Sequence, residues 1–279
     1  MMTELYANIN GIKICYEERG KGFPVLLVHG FTGNKEGWIS QWVPLSKSFR
    51  VIRFDNRNGG CSDRPNIPNT LDMLADDIKG LLEYLKIKKT HIIGWSMGGI
   101  IVQKFATKYP NFIEKIVLMN TVMGAPFEQA VSLMSQNSLN ELEFRKKNKE
   151  EAFWTSARLG YHIKFRKEME ANPDKKFYGL WSVQDLIAIQ NINPVTPQDI
   201  SNQANALYPP LTADELRTIK NQTLLIASSH DRLTAKSAMA QINEIIPNTK
   251  FVVIEKAGHN SPISRAPEIN KLIIEFLKT

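Results

Sequence analysis

His91-Ile92-Ile93-Gly94-Trp95-Ser96-Met97-Gly98-Gly99-Ile100 is an apolar run that breaks at a serine between glycines and resumes as a helix-like segment to Lys108. The pattern predicts a strand, a sharp turn and a helix, with Ser96 on the turn. A serine hydroxyl is a poor nucleophile at neutral pH. A reactive one must be exposed, held near a base and set beside donors for the oxyanion that it creates. Flanking glycines make room where a Cβ would meet the neighbouring strand and helix, which is the mechanics of the Gly-x-Ser-x-Gly elbow. Alone the pattern recurs by chance in roughly one chain in ten of this length, so its company decides the matter.

Upstream, Val25-Leu26-Leu27-Val28 runs into His29-Gly30-Phe31. Far downstream, Leu224-Leu225-Ile226-Ala227-Ser228-Ser229-His230-Asp231 ends in a carboxylate, and a further apolar run precedes Ala257-Gly258-His259. The order along the chain is Ser, Asp, His. With these strand-end positions the chain resembles the α/β-hydrolase family over nearly its whole length. The His29-Gly30-Phe31 loop, the stretch Asp55 to Ser62, the elbow and Gly258-His259 are its landmarks, correctly ordered. Asn58 stands where the family often has Gly, and Asn tolerates the left-handed backbone better than most residues. Ser228 and Ser229 stand where a Gly often precedes the acid.

The resemblance implies Ser96 as nucleophile, His259 as the base that takes its proton and returns it to the leaving group, and Asp231 as the carboxylate that orients the imidazole. It assigns the oxyanion-hole N–H groups to Phe31 and Met97. The latter opens a helix, whose first N–H groups lack internal partners and favour an anion. Some relatives carry the acid after an earlier strand, here near Asn120-Thr121, but those residues are neutral. His29 is expected to brace the oxyanion loop, and His230 to face solvent or line the pocket. Asp55 and Arg57 read as a structural ion pair fixing their loop. Trp95, Trp38, Trp154 and Trp181 are candidate substrate-binding residues, although core burial is the default for such side chains.

Alternation of strand and helix sets the architecture. Asn10-Gly11 suits a tight primed turn before the alternating Ile12, Ile14 and Tyr16. Strand-like runs follow at 25–29, 51–55, 91–95, 115–120, 223–228 and 251–255. Leu71, Leu74, Ile78, Leu81, Leu82 and Leu85 recur at three- and four-residue spacing, as do Ile269, Leu272, Ile273, Phe276 and Leu277, the signature of helices burying one face. These elements predict an α/β fold with a mostly parallel sheet covered on both faces. From Val122 to Thr218 no β run is visible, and prolines divide helical stretches into four or five pieces. The expected organisation is a core of residues 1–122 and 216–279 with an all-helical cap at 123–215.

Composition bounds the function. The chain has 279 residues, 43% hydrophobic and 23% charged, an ordinary globular balance. Cys15 and Cys61 offer neither a disulfide framework nor metal-like spacing. The stretch Met1 to Tyr6 lacks a basic region followed by an apolar one, so a cytoplasmic location without membrane attachment is the simplest expectation. The net charge of +7 comes from dispersed lysines without a nucleic-acid motif, and reads as solvated surface. The expectation is a serine esterase, thioesterase or lactonase needing no cofactor or metal, acting on a small-molecule acyl substrate. An ester carried on an acidic acyl-carrier protein is a narrower variant that would use the basic surface. C–C hydrolysis, lyase or perhydrolase chemistry on the same triad, and a small-molecule receptor, are the rivals. A carboxylate nucleophile, as in haloalkane dehalogenases and epoxide hydrolases, is disfavoured because the elbow carries Ser96.

Overall fold

The computed structural model of the chain describes residues 4–279; Met1 to Thr3, part of the stretch read above for a signal sequence, lie outside them. Among the described residues eight strands form one sheet in the order β1-β2-β4-β3-β5-β6-β7-β8. Strands β1 (Leu5–Ile9) and β2 (Ile12–Arg19) form the expected hairpin. Its turn residues Asn10 and Gly11 both have positive φ, 49° and 77°, as a type I′ turn demands. Strand β2 runs antiparallel to β4 (Arg50–Phe54). From β4 onward the pairings with β3 (Pro24–Val28), β5 (Thr90–Trp95), β6 (Ile113–Met119), β7 (Gln222–Ser228) and β8 (Thr249–Ile254) are parallel.

The strands are apolar at consecutive positions because both faces are covered. Leu26, Val28, Ile92 and Leu225 point into one layer with α2 (Leu71–Tyr84), α3 (Met97–Lys108) and α10 (Lys236–Ile245). Val25, Leu27, Ile93 and Leu224 point into the other with α1 (Ile39–Ser46) and α12 (Ala266–Lys278). The leucine spacing of α2 and the isoleucine spacing of α12 each bury one stripe. Thr70 starts α2 by accepting from the Met73 N–H, an N-cap of ordinary kind. The sequence reading missed α1, a short helix that carries Pro44.

Between β6 and β7 lie α4 (Glu128–Lys147), α5 (Lys149–Gly160), α6 (Ile163–Ala171), α7 (Val183–Gln190), α8 (Pro197–Asn205) and α9 (Ala213–Arg217). Helices α5 to α7 share an apolar cluster around Phe153, Trp181 and Leu186, which Ile263 joins from beyond β8. No described helix is long and apolar enough to cross a membrane. Because β5, β6, β7 and β8 are neighbours and parallel, the residues that follow β5, β7 and β8 emerge at one sheet edge. This is the edge where open α/β sheets bind ligands.

One buried histidine couples this core to pH. His91 on β5 is 4% exposed and lies between the rings of Phe23 and Phe49, 4.6 and 6.0 Å away. Burial, with the nearby Lys115 charge adding to it, pulls its pKa from the ordinary 6.5 down to about 4. Between these values the unfolded chain holds more protons than the folded one, so stability is lost as pH falls through that window. Chemical denaturation from pH 7 to 4 is expected to show a steeper loss for the wild type than for His91→Leu. Equal slopes would contradict this assignment.

Candidate active site

The sharpest backbone feature is Ser96, at φ 57° and ψ −127° between β5 and α3. The turn holds because nothing larger fits beside it: a Cβ on Gly98 would lie 2.0 Å from the Val28 carbonyl oxygen, and one on Gly94 2.5 Å from that of Gly98. Strand β6 secures the serine itself. The Ser96 N–H donates to the Met119 carbonyl at 3.0 Å, and the Thr121 hydroxyl donates to the Ser96 carbonyl at 2.7 Å.

Asp231 and His259 meet at the ends of β7 and β8. His259 Nδ1 is 2.9 Å from Asp231 Oδ2, with the carboxylate side chain fully buried and the imidazole 9% exposed. Burial pushes the Asp231 carboxyl up, but hydrogen bonds from His259 and Thr234 and the His259 charge outweigh it and hold the pKa below the usual range. Asp231 is therefore an ionised acceptor, which fixes the proton of a neutral His259 on Nδ1 and leaves Nε2 as the basic nitrogen. Oδ1 accepts from the Leu233 and Thr234 N–H groups at 2.8 Å each. The Thr234 hydroxyl donates to Oδ2 at 2.7 Å.

Two residues that the sequence pointed to for other roles hold His259. Its carbonyl accepts from Asn120 Nδ2 at 2.7 Å and from Trp95 Nε1 at 3.2 Å. The neutral Asn120, with φ 44°, thus braces the imidazole loop from the end of β6. The only signal in the sequence was its place at a strand end. On the other side the loop packs on the end of α5, where the Asn260 N–H donates to the Gly160 carbonyl at 2.8 Å.

Ser96, Met97, Phe31, Thr234 and His259 all border one cavity of about 1130 Å³. Among the described residues no hydrogen bond joins the Ser96 hydroxyl to His259, and such contacts are often long before substrate binds. The loop 29–33 closes against the elbow: a methyl group on Gly30 would sit 3.0 Å from Ser96 Cβ. His29 braces this loop, its Nε2 accepting from the Asn56 N–H at 3.0 Å and its Nδ1 donating to the Gly30 carbonyl at 2.9 Å. Burial lowers its pKa and keeps the ring neutral, as this bonding requires.

Two expectations need correction. Trp38 and Trp95 border the cavity, but Trp154 and Trp181 are not among its lining residues. Trp181 is fully buried and stacks on Phe177 at 4.9 Å, while Trp154 is half-buried and packs on Phe153 at the edge of the same helical cluster. Asp55 and Arg57 do not pair with each other. Asp55 Oδ2 lies 3.2 Å from the buried Lys35 Nζ, and Arg57 clasps Asp77 at 2.5 and 2.7 Å. Of the two places expected for His230 it takes the solvent-facing one: it is exposed, meets His162 edge-on at 4.7 Å and is not among the residues that line the cavity. Asn58 adopts φ 60°, the left-handed conformation that glycine would otherwise serve.

The profile of the alpha/beta hydrolase fold family matches residues 24–266. The chain belongs to that family. Among solved structures, this alpha/beta hydrolase is similar to a thermophilic esterase from Thermogutta terrifontis with malate bound. The two are 26% identical with a TM-score of 0.79, over 99% of this chain and 98% of that one. It is similar in fold to the enol-lactonase from Burkholderia xenovorans LB400, 24% identical with a TM-score of 0.83, over 99% and 100%. A bromoperoxidase from Bacillus anthracis also shares the fold, 22% identical with a TM-score of 0.83, over 99% and 100%.

Asp55 is the buried anchor of both loops beside the hydrolase site, accepting from the Lys35 N–H at 2.6 Å and the Cys61 N–H at 2.9 Å. Burial pulls the Lys35 ammonium down, but the charges of Asp55 and Glu36 outweigh it and hold its pKa above the usual range. Removing the carboxylate leaves the Lys35 and Cys61 N–H groups without their acceptor and the buried ammonium with Glu36, at 2.8 Å, as its nearest carboxylate, and breaking up a buried charge cluster in this way is costly. Asp55→Ala is expected to lose about 3 kcal/mol of stability in urea, and a loss below about 1 kcal/mol would refute the anchoring role.

Proposed function

We propose that this protein is a serine hydrolase that cleaves a carboxylic ester, thioester or lactone through an acyl-enzyme at Ser96. The observation that carries the reading is the 2.9 Å contact of His259 Nδ1 with a buried, ionised Asp231, at the same sheet edge and cavity as the strained Ser96. In this reading Ser96 Oγ attacks the acyl carbon while His259 Nε2 takes its proton. The oxyanion that forms is met by the N–H groups of Phe31 and Met97. Met97 is the first residue of α3, so its N–H has no acceptor within the helix. Collapse of the tetrahedral intermediate expels the alcohol, thiol or enol, which takes the proton from His259. Water, activated by the same imidazole, then releases the acid.

The helices between β6 and β7 contribute Leu133, Phe144, Phe153, Leu159 and Leu186 to the cavity wall. We read residues 123–215 as a cap whose apolar side chains select the acyl group. The similarity to an esterase and to an enol-lactonase supports ester or lactone substrates. The bromoperoxidase likeness favours one variant, in which hydrogen peroxide rather than water takes the acyl group and yields a peracid. A panel of aryl esters graded by chain length, with a lactone, a thioester and added peroxide, separates these outcomes. Turnover of none of them would sink the reading.

Ser96→Ala is expected to abolish covalent labelling by a fluorophosphonate probe, and labelling at the wild-type rate would remove the serine from the mechanism. Asp231→Asn is expected to lower ester kcat by about 10⁴-fold, the loss seen when a triad carboxylate is neutralised in a serine protease. Near-normal kcat in that variant would place the orienting group elsewhere.

A further inference from the structure

The oxyanion donor assigned to Phe31 sits on a loop that must hold one peptide plane steady, and the loop is held from two sides. The Gly30 carbonyl belongs to the same peptide as the Phe31 N–H. It accepts from His29 Nδ1 at 2.9 Å and from the Gly33 N–H at 3.2 Å, so a trans peptide turns the Phe31 N–H the opposite way. The next peptide is held from the inserted helical segment. The Thr32 N–H donates to Gln203 Oε1 of α8 at 2.8 Å.

Thr32 has φ 55°, an unfavourable conformation for a β-branched residue that persists only where surrounding contacts impose it. Gln203 is 1% exposed, and its Nε2 donates to the Asn58 carbonyl at 2.6 Å. One end of the amide must accept and the other must donate, so its orientation is fixed by its two partners. Helix α8 is a firm base for it. Asp199 accepts from Arg64 Nη1 at 2.9 Å and from Asn58 Nδ2 at 3.2 Å. Asn202 Nδ2 donates to the Pro65 carbonyl at 3.1 Å, and Asn205 Nδ2 to that of Asn69 at 2.9 Å.

We propose that Gln203 is a positioning residue for the oxyanion hole: it pins the Thr32 amide, and through it the neighbouring Phe31 N–H, from within the helical insertion. The proposal rests on the serine-hydrolase reading above. Gln203 acts on the transition state, because the Phe31 N–H matters most when negative charge develops on the substrate oxygen. Its loss therefore lowers kcat and leaves KM for a neutral ester nearly unchanged.

The test is the rate of fluorophosphonate labelling. In that reaction the Ser96 Oγ–P bond forms, the P–F bond breaks, fluoride leaves and the serine proton passes to His259, while the phosphoryl oxygen occupies the oxyanion hole. Gln203→Leu is expected to slow labelling and ester kcat together by roughly tenfold to a hundredfold, less than the 10²–10³ that follows outright loss of a donor, with KM within about twofold. Asn205→Ala removes one of the bonds that seat α8 but keeps the Thr32–Gln203 contact, and is expected to slow labelling much less than Gln203→Leu does. Gln203→Glu keeps an acceptor for the Thr32 N–H and is expected to regain part of the loss. Gln203→Ala repeats the comparison if the leucine variant does not fold, as judged by near-UV circular dichroism. Failure of the wild type to label sinks the hydrolase reading, and this proposal with it. Wild-type labelling that Gln203→Leu leaves unchanged, or that Asn205→Ala slows equally, overturns the role of Gln203 alone.

Discussion

The structure around the site depends on a single disfavoured backbone conformation, that of Ser96. A non-glycine residue in such a region costs on the order of 1–3 kcal/mol and survives only where its surroundings over-determine it. Here they do so from three directions. Strand β6 accepts the Ser96 N–H through Met119 and returns the Thr121 hydroxyl to the Ser96 carbonyl. Strand β3 lies so close that Gly98 cannot carry a side chain. Helix α3 begins at Met97 and buries Ile100, Ile101 and Phe105 against the sheet, so the turn cannot relax without moving the helix. The strain lifts the hydroxyl out of the sheet edge into the cavity.

What holds the partners of Ser96 is mostly buried polar structure rather than apolar packing. Asp55, Lys35 and Glu36 form a charged cluster beneath the loop that carries Phe31, and Asn120 and Trp95 grip the carbonyl of His259. Interactions of this kind add little net stability compared with apolar replacements, but they penalise every alternative geometry, because a displaced partner would leave a buried charge or donor unpaired. An apolar core tolerates small shifts. A carboxylate that accepts from two backbone N–H groups and a lysine does not. On the serine-hydrolase reading proposed above, the reacting atoms must be placed to a fraction of an ångström, and polar burial of this kind serves that need.

The parts legible in sequence were those with a one-dimensional signature. Strands buried on both faces, such as Val25 to Val28 and Leu224 to Ala227, read as continuous apolar runs, and α2 and α12 read by their spacing. The Ser, Asp and His positions were legible because each ends such a run. Helix α1 was not, since it is short and holds a proline that breaks the expected pattern. Pairing was the least legible property. Asp55 and Arg57 are two apart in sequence, yet their partners are Lys35 and Asp77, because the turn that follows β4 sends the two side chains to different sides. Trp154 and Trp181 carried no mark distinguishing a cavity wall from the interior of a helical cluster. Gln203 and Thr234 each make more than one hydrogen bond, with partners set by the tertiary fold, and no periodicity encodes that.

The inserted helices divide their contacts in a way that bears on how such a site changes specificity. Helices α4, α5 and α7 meet the cavity with polar side chains such as Asn137, Glu141 and Thr155 and with apolar ones, among them Phe144, Leu159 and Leu186. Apolar contacts are non-directional, so the apolar positions tolerate exchange of one shape for another at modest cost. Helix α8 is different in kind. It is seated by directional hydrogen bonds that join Asp199, Asn202, Gln203 and Asn205 to the segment between β4 and α2, and a change there leaves polar partners unsatisfied. One insertion thus holds a wall that can be reshaped for a different ligand and a strut that must keep its geometry, which lets the pocket vary while the loop carrying Phe31 stays in place.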